Sequence, residues 1–198
     1  MPRKHQAISR TSLLTLEAYA KARPLMRARV LDEKQLRRVF LGDNVLLLFE
    51  NELLIRYQIQ EMLRIERTYE EEGIAAELEA YNPLVPDGSN LKATMQIEYA
   101  NEEERRKRLT ELKGIERCVW VSIAGHDPVF PIADEDLPRE NEEKTSAVHF
   151  LRFEFTPAMV AAAREGAAIS MGVDHPAYQA TLPELPEAVR ESLASDFD

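Results

Sequence analysis

Hydrophobic spacing changes partway along this chain, and the change limits the folds open to it. Before the turn Asn82–Asn90, apolar residues recur mostly every three or four positions; beyond it they mostly alternate. The first pattern belongs to helices with one covered face, the second to half-buried strands. Segregation of the two is only partial, which predicts an α+β fold: a helical N-terminal part packed on a mainly antiparallel sheet. One compact unit over 1–198 is expected, helix-rich in 1–86, sheet-rich in 91–182, with a C-terminal helix over 184–195. The 44% hydrophobic content is enough for a real core in 198 residues.

Local signals divide the chain further. Thr11 or Ser12 can cap a helix over Leu13–Ala22, and Pro24 can open a second one through about Lys34. Arg37–Leu41 and Val45–Glu50 flank Gly42-Asp43-Asn44, a hairpin signal. An amphipathic helix follows over Leu53–Gly73, then a short one over Ala75–Tyr81. Strands are predicted at Leu91–Tyr99, Arg117–Ala124, Val129–Ala133, Thr145–Phe155, Ala168–Val173 and Tyr178–Leu182. Asn101–Lys113 reads as a charged helix, acids first and bases last, matching the helix dipole. Thr156, Pro157 and Gly166 bound another helix as N-cap, first residue and stop.

Charge and cysteine content exclude several classes. Acids outnumber bases 35 to 25, a formal charge of −10, which argues against nucleic acid and against an anionic membrane surface as partners. Cys118 is the only cysteine, so no internal disulfide and no cysteine-built zinc site is possible; on a strand it reads as a packed thiol. Met1–Arg10 is basic with no apolar run behind it, and no stretch reaches membrane-spanning length, so a cytoplasmic protein is expected.

Two polar residues fall where apolar ones are expected. Glu66 continues the stripe Ile55, Ile59, Met62, Leu63, and Glu70 follows four residues later on the same face. Alternation in Thr145–Phe155 places His149 with Ala147, Leu151, Phe153 and Phe155. A buried carboxylate or imidazole needs a partner, which could be each other, a metal or a ligand. Paired inward carboxylates are how helical metal sites begin, although this helix lacks the acid-to-histidine spacing of di-iron proteins. The alternative is that Glu66 and Glu70 reach solvent or pair with Arg64 or Arg67, and that His149 bonds a carbonyl or carboxylate within the core. Asp174-His175-Pro176 sits at a strand end, as a binding loop or as a turn capped by Asp174. His126 in Gly125-His126-Asp127-Pro128 reads as a hairpin loop. Asp87-Gly88-Ser89-Asn90 precedes a strand, so it is no phosphate loop. The acidic stretch Asp134–Glu143, with Glu140, Glu142 and Glu143, lacks the ligand order of an EF-hand and reads as solvated.

Four blocks in order, Gln58–Arg67, Tyr81–Asn90, Glu140–Glu154 and Gly172–Tyr178, resemble a bacterial domain-of-unknown-function family, the one numbered thirty-five hundred and one. The resemblance covers nearly the whole chain. It implies an iron or redox setting and brings no assigned activity, so no catalytic residue is carried over. From the residues themselves, the expectation is a metal (iron, zinc or manganese) or small ligand held by Glu66, Glu70 and His149, with Asp174 and His175 nearby. The carboxylate partner of His149 is expected to be Glu66, Glu70 or Asp174. The competing expectation is a non-catalytic accessory or interaction protein that docks a protein partner, such as a redox protein.

Overall fold

The structure is a computed structural model, and residues 7–141 and 143–198 are described. Its first helix, α1 (Leu16–Leu36), is continuous through Pro24, where the spacing predicted two. Proline removes the bond to the carbonyl four residues back. That residue, Ala20, is exposed, so water can serve its carbonyl. The cap is Thr15, whose hydroxyl accepts from the Ala18 N–H, and not Thr11 or Ser12. The hairpin forms as predicted, from β1 (Arg38–Leu41) and β2 (Val45–Phe49).

Helix α2 (Glu52–Glu66) is capped by the Asn51 side chain, which accepts from the Leu54 N–H at 3.0 Å. It stops seven residues before the predicted Gly73. Arg67 turns left-handed at φ 56°, and both Arg67 and Thr68 donate their N–H to the Leu63 carbonyl. Helix α3 (Glu71–Tyr81) then takes Gly73 into its first turn and runs into a 3-10 turn at Asn82–Leu84. A carboxylate bolts α1 to α2. Glu61 accepts from the Tyr19 hydroxyl at 2.6 Å and from Arg23 at 2.7 and 2.9 Å. The Arg23 bonds, aided by Tyr19 and opposed by burial, hold the Glu61 carboxyl down at about 2. A lowered native pKa adds stability above the unfolded value, near 4.5, that is lost as pH falls through about 2. Acid titration of the unfolding midpoint should therefore be steeper between those values in the wild-type chain than in Glu61→Gln. Parallel curves would contradict it.

The remaining elements are β3 (Asn90–Ile97), α4 (Glu102–Glu111), β4 (Val119–Ile123), β5 (Ile132–Ala133), β6 (Val148–Glu154), α5 (Pro157–Arg164), β7 (Ile169–His175), β8 (Tyr178–Leu182) and α6 (Glu187–Ala194). Asn101 and Thr156 cap α4 and α5 through their side chains. Strand β5 is only two residues long, because Val129 makes just an isolated bridge to Val121. The strands form two antiparallel sheets and not one. The larger has the order β1-β2-β3-β6-β5, the smaller β4-β7-β8. They share one core, in which Leu47, Phe49, Met95 and Phe153 of the larger meet Val121, Ile169 and Met171 of the smaller. Helices α2 and α3 build a separate cluster around Ile55, Ile59, Leu63 and Ile74.

Two contacts lock distant parts together. The Tyr178 hydroxyl donates to the Leu41 carbonyl at 2.6 Å and accepts from the Asn44 N–H at 3.0 Å, joining the small sheet to the first hairpin. Gly42 is required beside it: φ is +68°, and a Cβ there would lie 2.5 Å from the Tyr178 oxygen. Arg37, fully buried, donates to the carbonyls of Phe49 at 2.9 Å, Glu50 at 3.0 Å and Ser192 at 3.1 Å, and pairs with buried Asp196. This guanidinium fastens the C-terminal helix to the hairpin. Among the described residues no helix is long and apolar enough to cross a membrane.

Candidate functional site

Alternation along β6 turns His149 inward beside Leu151 and Phe153, and the ring is fully buried. Its partner is Asp134, at the end of β5, and none of Glu66, Glu70 or Asp174. His149 Nδ1 lies 2.6 Å from Asp134 Oδ2, so Nδ1 carries the proton and donates to the carboxylate. Nε2 lies 3.0 Å from Thr145 Oγ1 and 3.1 Å from the Ser146 carbonyl. The other Asp134 oxygen accepts from the Phe150 N–H at 3.0 Å and has Arg139 Nε at 3.3 Å. Asp134 takes this position with φ at 52°, a left-handed conformation that aspartate tolerates through its short polar side chain. The Arg139 guanidinium lies 4.5 Å from the centre of the Phe150 ring.

Hydroxyl, imidazole and carboxylate stand here in the order of a nucleophilic triad. Chemistry of that kind needs a substrate at the hydroxyl. Thr145 is 2% exposed and His149 0%, so the chain of bonds is closed to any substrate in this conformation. What it does is structural: Asp134 and Thr145, the two ends of the acidic loop, are both held on one imidazole of β6. The loop is correspondingly less free than its composition predicted. Arg152 grips Glu135 with two bonds of 2.7 and 2.6 Å, and Arg139 pairs with Asp136. Glu142 lies outside the described residues.

The other predicted site residues lie elsewhere. Glu66 is exposed, against the expectation that it is buried. The stripe does run through it, but the packed part ends at Leu63, and Glu66 is the last residue of the helix. Spacing sets the direction of a side chain; cover depends on what lies opposite. Glu70 is exposed as the N-cap of α3. His175 is buried, with Nε2 donating to the Lys113 carbonyl at 3.0 Å and Nδ1 accepting from the Ala177 N–H at 3.2 Å, so both ring nitrogens serve a turn. Asp174 is exposed and accepts from the Gln179 amide. Among the described residues no group of three or more His, Cys, Asp or Glu comes together to hold a metal. Cys118 is half-buried, and burial, with Glu116 and Asp174 near, pushes its thiol pKa up, as for an inert thiol.

A different place has the form of a binding site. A cleft of about 500 Å³ opens between α3 with its 3-10 turn and the outer face of the large sheet. That volume falls in the range of small-molecule pockets, roughly 300–1,000 Å³. Its walls include Tyr81, Pro83, Leu84 and Phe150, with Lys92 and Arg152 on the sheet and Glu135 and Asp136 from the clamped loop. Glu50, just past β2, also lines it, only 8% exposed, and accepts from the Thr94 hydroxyl at 2.7 Å. Burial pushes the Glu50 carboxyl pKa up, against the opposing pull of Thr94, Lys34 and Arg37. Burial likewise pulls the Lys92 ammonium down. Perturbed titratable groups on an apolar cleft are the pattern of a functional site. Sequence reasoning missed Glu50 and Asp134. Each ends a short apolar strand and borders a turn or helix start, where a carboxylate ordinarily reads as a solvated boundary.

The family described as Protein of unknown function (DUF3501) matches residues 7–197. Among solved structures, the chain is similar to a novel protein of unknown function from Burkholderia pseudomallei K96243. Identity is 55%, the match covers 98% of this chain and 100% of that one, and the TM-score is 0.92. None of the curated proteins matches.

Proposed function

The chain belongs to the DUF3501 family of proteins of unknown function, and we propose that it is a binding protein for a small amphipathic molecule, held in the cleft between α3 and the large sheet. The observation that carries this reading is the cleft itself: apolar walls, a few converging polar groups, and a titratable carboxyl that burial has perturbed. The His149–Asp134 pair supports the site indirectly. By fixing the loop it holds Glu135 and Asp136 as one wall of the cleft.

Nile red, an uncharged apolar dye, should bind the full-length protein saturably with a fluorescence increase. Ala80→Trp places a large ring at the cleft lining, on an exposed helical position where it should not disturb the core. That variant should keep the wild-type melting temperature and lose dye binding at least tenfold. Absence of saturable binding, or equal binding by the variant, would count against the cleft.

A further inference from the structure

We infer that the ligand of the cleft is a small apolar amine whose protonated nitrogen is met by Glu50, an inference that rests on the cleft being the binding site. The lining carries four carboxylates, Glu50, Glu79, Glu135 and Asp136, and two bases, Lys92 and Arg152. Both bases are already engaged. Arg152 holds Glu135 through two bonds and also pairs with Glu154, while Lys92 donates to the Pro83 carbonyl at 2.6 Å. Asp136 pairs with Arg139. An anionic ligand would have to displace Glu135 from its bidentate pairing, or compete for a lysine that burial already disfavours as a cation.

Glu50 is in the opposite position. It is more than nine-tenths buried, the one hydrogen bond to its carboxylate among the described residues comes from a neutral hydroxyl, and no base lies within ion-pair distance of that carboxylate among those residues. Lys34 and Arg37 act on the carboxylate only from beyond ion-pair distance, burial still outweighs them, and a cation delivered into the cleft offsets that cost. Glu79, exposed at the end of α3, adds a second negative group to the rim. The hydrocarbon part of the ligand meets Tyr81, Leu84 and Phe150. A neutral molecule of the same shape would gain the apolar contact and leave Glu50 as it is.

Competition against bound Nile red, using phenethylamine, phenethyl alcohol and hydrocinnamate on the full-length chain, tests the charge preference at constant ring and similar length. The amine should displace the dye at a concentration at least tenfold below that of the alcohol, with the carboxylate weakest. Glu50→Gln keeps the shape and an acceptor for Thr94, so it should fold, and it should bring the amine to the level of the alcohol. An amine no better than the alcohol in the wild-type protein, with dye still bound, overturns the inference and leaves the cleft standing. So does an amine advantage that survives Glu50→Gln. Failure of the dye itself to bind instead counts against the cleft.

Discussion

Replacing Arg37 with Ala should lower the unfolding free energy by about 3–5 kcal/mol, the range for removing one partner of a buried ion pair. Arg37 is fully buried, and Asp196 beside it is 4% exposed. The substitution takes the guanidinium away from the buried carboxylate and removes the donors that serve the carbonyls of Phe49, Glu50 and Ser192. The damage should be local to the join between α6 and the first hairpin, so amide exchange should accelerate first in Glu187–Ala194. Replacing both charges, Arg37→Met with Asp196→Leu, should recover only part of the loss, because the charged pair is gone but the three carbonyls still lack their donor. Urea unfolding measures each step. A loss below about 1 kcal/mol for Arg37→Ala would mean that water reaches the pair in solution.

Asp134→Ala should cost about 2–3 kcal/mol, through two unmade hydrogen bonds in the interior. His149 Nδ1–H and the Phe150 N–H both lose their acceptor. Alanine also carries the strain of the left-handed backbone at φ 52°. Asp134→Asn separates the two effects. Asparagine tolerates that backbone but offers one acceptor where two are used, so it should fall between wild type and Ala. Thr145→Val should be milder, about 1 kcal/mol, since it removes only the hydroxyl at Nε2 and leaves the Nδ1–Asp134 bond in place. Because Asp134 anchors the loop that supplies Glu135 and Asp136, Asp134→Ala should also weaken dye binding in the cleft even where the protein remains folded. Stability unchanged in Asp134→Ala would show that the clamp carries no energy, and the loop would have to be held by Arg152 and Arg139 alone.

Much of this protein was legible in the residues alone, and the legible part is local. Asn101 and Thr156 mark their helix starts because a short polar side chain accepts from a backbone N–H three residues on. The inward turn of His149 follows from the strand period of two, which needs no knowledge of the partner strand. Gly42-Asp43-Asn44 joins two paired strands because glycine there can adopt positive φ. The family resemblance, too, rested on sequence blocks and is matched over residues 7–197.

Tertiary structure decided what each of these local features meets. The strands after Asn90 alternate alike, yet β4 pairs with β7 in one sheet while β3 pairs with β6 in the other, because pairing depends on which edges the connections bring together. Glu66 continues an apolar stripe but finds no cover, since the helix ends there. His149 finds Asp134 across a loop, and Arg37 finds Asp196 from the far end of the chain. Burial, partner and charge state are properties of an environment assembled from separate segments. A sequence pattern fixes where a side chain points, and only the assembled fold supplies what lies in that direction.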